Sequence, residues 1–98
     1  MRIRKNILVK GFVQGGAYLT QSKRIAVNLG VKGWMRGLNN GCVEACLEGD
    51  EHSVDGLIAW CAFGPKNGRV DEVQTSNYQF ISSFSDFKIF DNRKQVIQ

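Results

Sequence analysis

LGVKGWMRGLNNGCVEACLE, residues Leu29 to Glu48, contains the step that decides the topology, because Asn39-Asn40-Gly41 stands between two apolar-rich segments. An Asn-Gly step tolerates the positive φ angles of a tight reversal and is the strongest short-range hairpin signal in the chain. Strands are therefore predicted over Val31–Leu38 and Cys42–Glu48. In the second, Val43, Ala45 and Leu47 alternate with Cys42, Glu44, Cys46 and Glu48. One face is expected to be buried and the other to hold Glu44 and Glu48 in solvent.

Before the hairpin, Ser22 to Leu29 carries Ile25, Ala26 and Leu29 at helical spacing, with Gly30 where a left-handed terminating residue belongs. This helix is expected to begin no earlier than Leu19. Asn6 to Val13 reads as a first strand that ends at Gln14-Gly15-Gly16, a breaker. After the hairpin, Asp50-Glu51 opens a second helix in which Val54, Leu57, Ile58 and Cys61 repeat at i, i+3, i+4 and i+7 before Gly64-Pro65. Arg69 to Tyr78 and Phe84 to Phe90 read as further strands, and the tail from Asp91 as poorly anchored. The order β-α-β-β-α-β plus a C-terminal strand predicts an α+β, ferredoxin-like α/β sandwich, with two helices on one face of a mainly antiparallel sheet.

The chain has 98 residues, 43% hydrophobic and 22% charged, which is the composition of one globular domain over residues 1–98. Its formal charge of +4 is scattered, without a run of like charges. No apolar stretch approaches a bilayer span, and Arg2, Arg4 and Lys5 precede too short an apolar segment for a signal peptide. A cytoplasmic monomer with no membrane partner is the expectation. Cys42, Cys46 and Cys61 are an odd number, and the first two lie roughly 13 Å apart on a strand, so neither a disulfide nor a metal site is expected. His52 belongs to an exposed first helical turn, while Cys61, Trp34 and Trp60 read as core. Ferredoxin-like sheets often bind single strands on their open face, but Cys42, Glu44, Cys46 and Glu48 are small or acidic there, so no nucleic acid partner is expected.

Strand, then Gln14-Gly15-Gly16-Ala17, then helix reads on two glycines alone first as a plain turn of the chain, and otherwise as a nest that aims unpaired backbone N–H groups at one spot and favours an anion. The surrounding residues resemble the acylphosphatase family along nearly the whole chain. Its signature G-x-V-Q-G-V-x-F-R is matched by Gly11-Phe12-Val13-Gln14-Gly15 and departed from at Gly16-Ala17-Tyr18-Leu19. Leu29-Gly30-Val31-Lys32-Gly33-Trp34-Met35-Arg36 is similar to L-G-L-x-G-W-V-R, which in the family runs on into N-L, and Asn40-Gly41-Cys42-Val43-Glu44-Ala45 to D-G-x-V-E-A. Gly49-Asp50-Glu51, Gly64-Pro65, Arg69-Val70-Asp71-Glu72-Val73 and Phe84-Ser85-Asp86-Phe87-Lys88-Ile89 continue the likeness.

The resemblance implies hydrolysis of an acyl phosphate to carboxylate and phosphate, without metal or cofactor. Residues Gln14, Gly15, Gly16, Ala17, Tyr18 and Leu19 are then the expected phosphate-binding loop. The family's phosphate-clamping arginine falls at Leu19 and its water-positioning asparagine at Gly37, so activity is expected to be lost or severely impaired. Turnover through loop amides and another cation, or binding of a small anion or small molecule without turnover, are the alternatives. The altered site is expected to be an open, less polar recess, with Tyr18 packed and its hydroxyl reaching solvent. Strand alternation turns Arg36 away from Gly37.

Overall fold

Hairpin chemistry at residues 38–42 sets the frame on which the rest is hung. Gly41 takes φ +88°, Leu38 N–H donates to the Cys42 carbonyl at 2.8 Å, and the Asn40 side-chain oxygen accepts from Cys42 N–H at 3.1 Å. Asn40 thereby satisfies its own turn. The computed structural model describes residues 1–13, 15–64 and 69–91, in the order β1 (Arg2–Phe12), α1 (Gly15–Leu29), β2 (Lys32–Gly37), β3 (Val43–Asp50), α2 (Glu51–Phe63), β4 (Arg69–Tyr78) and β5 (Phe87–Asp91). The strands form one sheet in the order β4-β1-β3-β2-β5, antiparallel except for the β2–β5 pair. Gly33 lets β2 close on β3, since a Cβ there would stand 1.9 Å from the Cys46 carbonyl oxygen.

Ile7, Val9, Met35, Val43, Ala45, Leu47 and Phe87 line the buried face of the sheet, as the period of two requires. Tyr18, Leu19 and Ala26 of α1 and Val54, Leu57 and Cys61 of α2 complete the core. α2 is capped at both ends: Asp50 accepts from His52 N–H at 3.2 Å, and Gly64 N–H returns to the Trp60 carbonyl at 2.7 Å. His52 is exposed, as expected. This is the ferredoxin-like sandwich, with both helices on one face.

Several bounds differ from the sequence expectation, each for a tertiary reason. β1 starts at Arg2 rather than Asn6 because β3 offers pairing partners as far as Asp50, which outweighs the polar composition of residues 2–6. α1 starts at Gly15, so Gly15-Gly16 is the opening of the helix and not a loop ahead of it. Leu29 is 38% exposed and lies off the buried stripe. The tail from residue 92 and Pro65 fall outside the described residues.

The largest correction concerns residues 79–86. β4 and β5 are opposite edges of the sheet, so the chain must cross four strand intervals, roughly 19 Å, to connect them. It crosses on the face opposite the helices, and β5 accordingly begins at Phe87 rather than Phe84. Glu48, expected in solvent, lies beneath this strap and is 2% exposed; Cys46 is covered too. One Glu48 carboxylate oxygen accepts from Ile81 N–H and the other from Ser83 N–H, both at 3.1 Å, and Arg4 adds an ion pair at 3.4 Å. Ser82, between the two donors, adopts φ 53°, a left-handed conformation that turns both amides toward the carboxylate. Lys32 Nζ anchors the far end on the Ser85 carbonyl at 3.1 Å.

Removing a buried acceptor leaves its donors unpaired, so Glu48→Ala is expected to lower the unfolding free energy by about 3 kcal/mol. Urea titration monitored by circular dichroism measures it; a change within about 0.5 kcal/mol contradicts the clamp.

Candidate active site

Strand register sets Gly37 at the same rim from which β1 leads into α1. Val9 of β1 pairs with Val43 of β3, Val43 with Gly37 of β2, and Gly37 with Asp91 of β5. Gly37 therefore ends β2 level with Val9, about 10 Å across one intervening strand. β1 runs on from Val9 to Phe12, and α1 opens at Gly15. The first turn of α1 thus rises from the rim that Gly37 terminates. Its amides at Gly15, Gly16 and Ala17 precede the point where intrahelical partners begin, and no acidic residue sits in that turn. Gln14 lies outside the described residues.

Helical phase decides where the side chains go. Tyr18, Leu19, Ser22 and Ala26 share the stripe that faces the sheet, while Ala17, Thr20 and Gln21 are exposed. Leu19 is 3% exposed and belongs to the hydrophobic core. The expected open recess at this position is thus replaced by packing, since a helix beginning at Gly15 points residue 19 inward. Tyr18 corrects a second expectation, because its hydroxyl reaches no solvent. It is fully buried, donates to the Cys61 carbonyl at 2.8 Å, and stacks on Trp60 with ring centroids 5.4 Å apart. Ser22 Oγ donates to the Tyr18 carbonyl at 2.7 Å, tying the next turn to the same junction.

This junction joins the first turn of α1 to the last turn of α2. Burial, followed by the neighbouring Cys61, drives the Tyr18 phenol far above its ordinary value. Burial pushes the Cys61 thiol up to about 11, although hydrogen bonds with Tyr18 and Ser22 pull the other way. Both groups are neutral and structural near pH 7. Gly37 is buried and offers backbone only. Arg36 projects to the opposite face, as strand alternation requires, where it is ion-paired with Glu44 and lies over the Trp34 ring at 5.7 Å.

The sequence reading missed two features outside this rim. Glu48 is a buried clamp, and Trp34 is half-buried on the open face instead of in the core. Alternation in Lys32-Gly33-Trp34-Met35-Arg36 carried the second signal, since Met35 is the buried partner of that pair. Among the described residues no group of three His, Cys, Asp or Glu side chains converges as a metal site requires.

The acylphosphatase family model matches residues 5–89. An acylphosphatase of Geobacter sulfurreducens is 42% identical over 89 residues, covering 91% of this chain and 98% of that protein. One of Pyrobaculum islandicum is 40% identical over 88 residues, covering 89% and 93%. Among solved structures, the acylphosphatase of Bacillus subtilis superposes with a TM-score of 0.84 at 22% identity, covering 90% of this chain and 98% of that one. That of Coxiella burnetii gives 0.83 at 27% identity, covering 91% and 93%.

Two outcomes follow from the burial of Cys46 and Cys61. At pH 8 a thiol reagent is expected to label Cys42 in the folded protein and to reach Cys46 and Cys61, both raised by burial, only on unfolding; rapid labelling of all three sinks this assignment. The Cys61 thiol ionises near 9 when unfolded and about 11 when folded, so its contribution is full below pH 9 and lost as pH rises through 11. Unfolding free energy is accordingly expected to decline above pH 9, measured by urea midpoints across that range.

Proposed function

Because the chain belongs to the acylphosphatase family, we propose that it is an acylphosphatase-like protein whose hydrolysis of acyl phosphates is lost or severely impaired. The observation that carries this reading is Leu19. It stands where the family's pattern has the phosphate-clamping arginine, and it is packed in the apolar core. A guanidinium forms bidentate, charge-assisted hydrogen bonds with phosphate oxygens; an isobutyl side chain supplies no donor and no charge. Gly37, at the place of the family's water-positioning asparagine, has no side chain with which to orient a nucleophile.

Phosphoryl transfer depends on positioning and electrostatic stabilisation more than on covalent chemistry by the protein. Losing one positioned donor typically costs about 10²–10³ in rate, and here a charged clamp and a water-positioner are missing together. Arg36 does not replace the clamp, because it is engaged by Glu44 on the other face. The first-turn amides of α1 survive any side-chain change. Weak binding of phosphate or a similar small anion at Gly15, Gly16 and Ala17, without metal or cofactor, is the activity that this rim supports.

Hydrolysis of a simple aryl acyl phosphate, assayed beside the Geobacter sulfurreducens acylphosphatase, is expected to be slower by about 10²-fold or more. Turnover within about tenfold of that enzyme defeats the reading. Leu19→Arg/Gly37→Asn is expected to gain turnover while losing about 3 kcal/mol of stability or more, because the new guanidinium leaves the core only when the first turn of α1 opens. Equal stability of the two forms contradicts the burial of residue 19.

A further inference from the structure

The sheet face opposite the helices is covered by the strap at one end and open at the other. Parallel pairing sets Trp34 of β2 beside Lys88 of β5, and Arg36 beside Phe90. Met35 is buried and Ile89 packs against the core, so these four side chains project together from the open face. They form a checkerboard in which the rings of Trp34 and Phe90 lie on one diagonal, about 8 Å apart by strand spacing and rise, and Lys88 and Arg36 on the other, Arg36 being paired with Glu44 and lying over the Trp34 ring. Phe90 is 43% exposed, the Arg36 side chain 40%, and Trp34 is half-buried. Phe84 of the strap adds a third ring, closing a recess of about 190 Å³ with Trp34, Phe90 and Lys88. That volume suits one planar ring system, a cavity of roughly 150 Å³ being enough for benzene.

The carboxylates that argued against a nucleic acid partner do not act on this surface as free charges. Glu44 is paired with Arg36, and Glu48 is buried under the strap with Arg4 and two backbone amides. Among the described residues, Lys32 and Lys88 have no carboxylate within ion-pair distance, while Asp86 remains as one unpaired negative charge at the edge of the recess. The chain as a whole carries +4.

We propose that this open face binds single-stranded nucleic acid, with bases stacking on Trp34 and Phe90 and the phosphate backbone following Lys88 and Lys32. Every base has a face that stacks on an aromatic ring, so two rings at strand spacing, beside the unpaired Lys88 and Lys32, suit a flexible polyanion of planar groups. The surface lies on the other side of the sheet from the rim of Gly37 and α1, and its occupancy is independent of acyl phosphate hydrolysis.

The test is fluorescence anisotropy of a labelled oligouridylate and an oligothymidylate of about twelve nucleotides, long enough to span an ordinary single-strand site, against the intact protein. Saturable binding at low ionic strength that weakens as salt rises is expected. Trp34→Ala and Phe90→Ala should each weaken it by about five- to a hundred-fold, and Lys88→Ala should flatten the slope of log K against log salt by about 0.7. Phe90→Tyr should retain binding. Folding of each variant is checked by circular dichroism, and the exposed edge position of Phe90 keeps the test valid where Trp34→Ala does not fold. The proposal is overturned by no binding at 50 mM salt, by binding that Phe90→Ala leaves unchanged, by a loss that follows Lys23→Ala/Arg24→Ala on α1 instead, or by a mononucleotide binding as tightly as the oligomer.

Discussion

The register of β3 between β1 and β2 is the constraint on which everything else depends. Five residues, Leu38 to Cys42, fix it through the Asn40 side chain and the positive φ of Gly41. A slip of one residue would turn Val43, Ala45 and Leu47 outward and drive Glu44 and Glu48 against the helices. With the register as it is, Val9, Val43 and Gly37 stand level at one rim, and Arg4, Glu48 and Lys32 at the other. The first alignment makes the candidate active-site rim. The second makes the anchorage for the strap.

That anchorage solves a problem of connectivity. Placing β4 and β5 at opposite edges obliges the intervening chain to cross the sheet, and a crossing segment carries backbone amides that need partners. Glu48 supplies two of them from the middle of the sheet, and Arg4 and Lys32 engage the strap on either side. Because the strap covers only the end near Glu48, the β2–β5 half of the same face keeps its rings and cations accessible. Strap and open surface are thus two consequences of one topology.

At the other rim, the decisive feature is the phase of α1. A helix that begins at Gly15 presents residues 18, 19 and 22 to the sheet, and the Tyr18 hydroxyl fastens that phase to the end of α2. An apolar Leu19 and a buried tyrosine stabilise each other's placement, since each fills space that a charged side chain at residue 19 would have to leave. The first-turn amides of α1 belong to the backbone and do not depend on these side chains. At this rim Tyr18 and Leu19 serve packing.

Much of the fold was legible in the residues themselves: the Asn-Gly turn, the i, i+3, i+4, i+7 stripe of α2 with its Asp50 and Gly64 caps, the bounds of β4, and the alternation of Phe87 and Ile89 with Lys88 and Phe90. These are local patterns, set by turn sterics and by the periods of 2 and 3.6. Leu19 and Gly37 were singled out by the family resemblance and not by a local pattern, and the structure puts the first in the core and the second at the end of β2. What the residues alone did not reveal depends on contacts distant in the chain. The start of β1 was decided by pairing with β3, the first turn of α1 by Tyr18 reaching Cys61, and the burial of Glu48 by a strap more than thirty residues away. Sequence by itself determined which elements form and which faces are apolar; only the tertiary structure decided which polar groups are buried and which aromatics remain exposed, because burial is set by what packs across an element and not by the pattern along it.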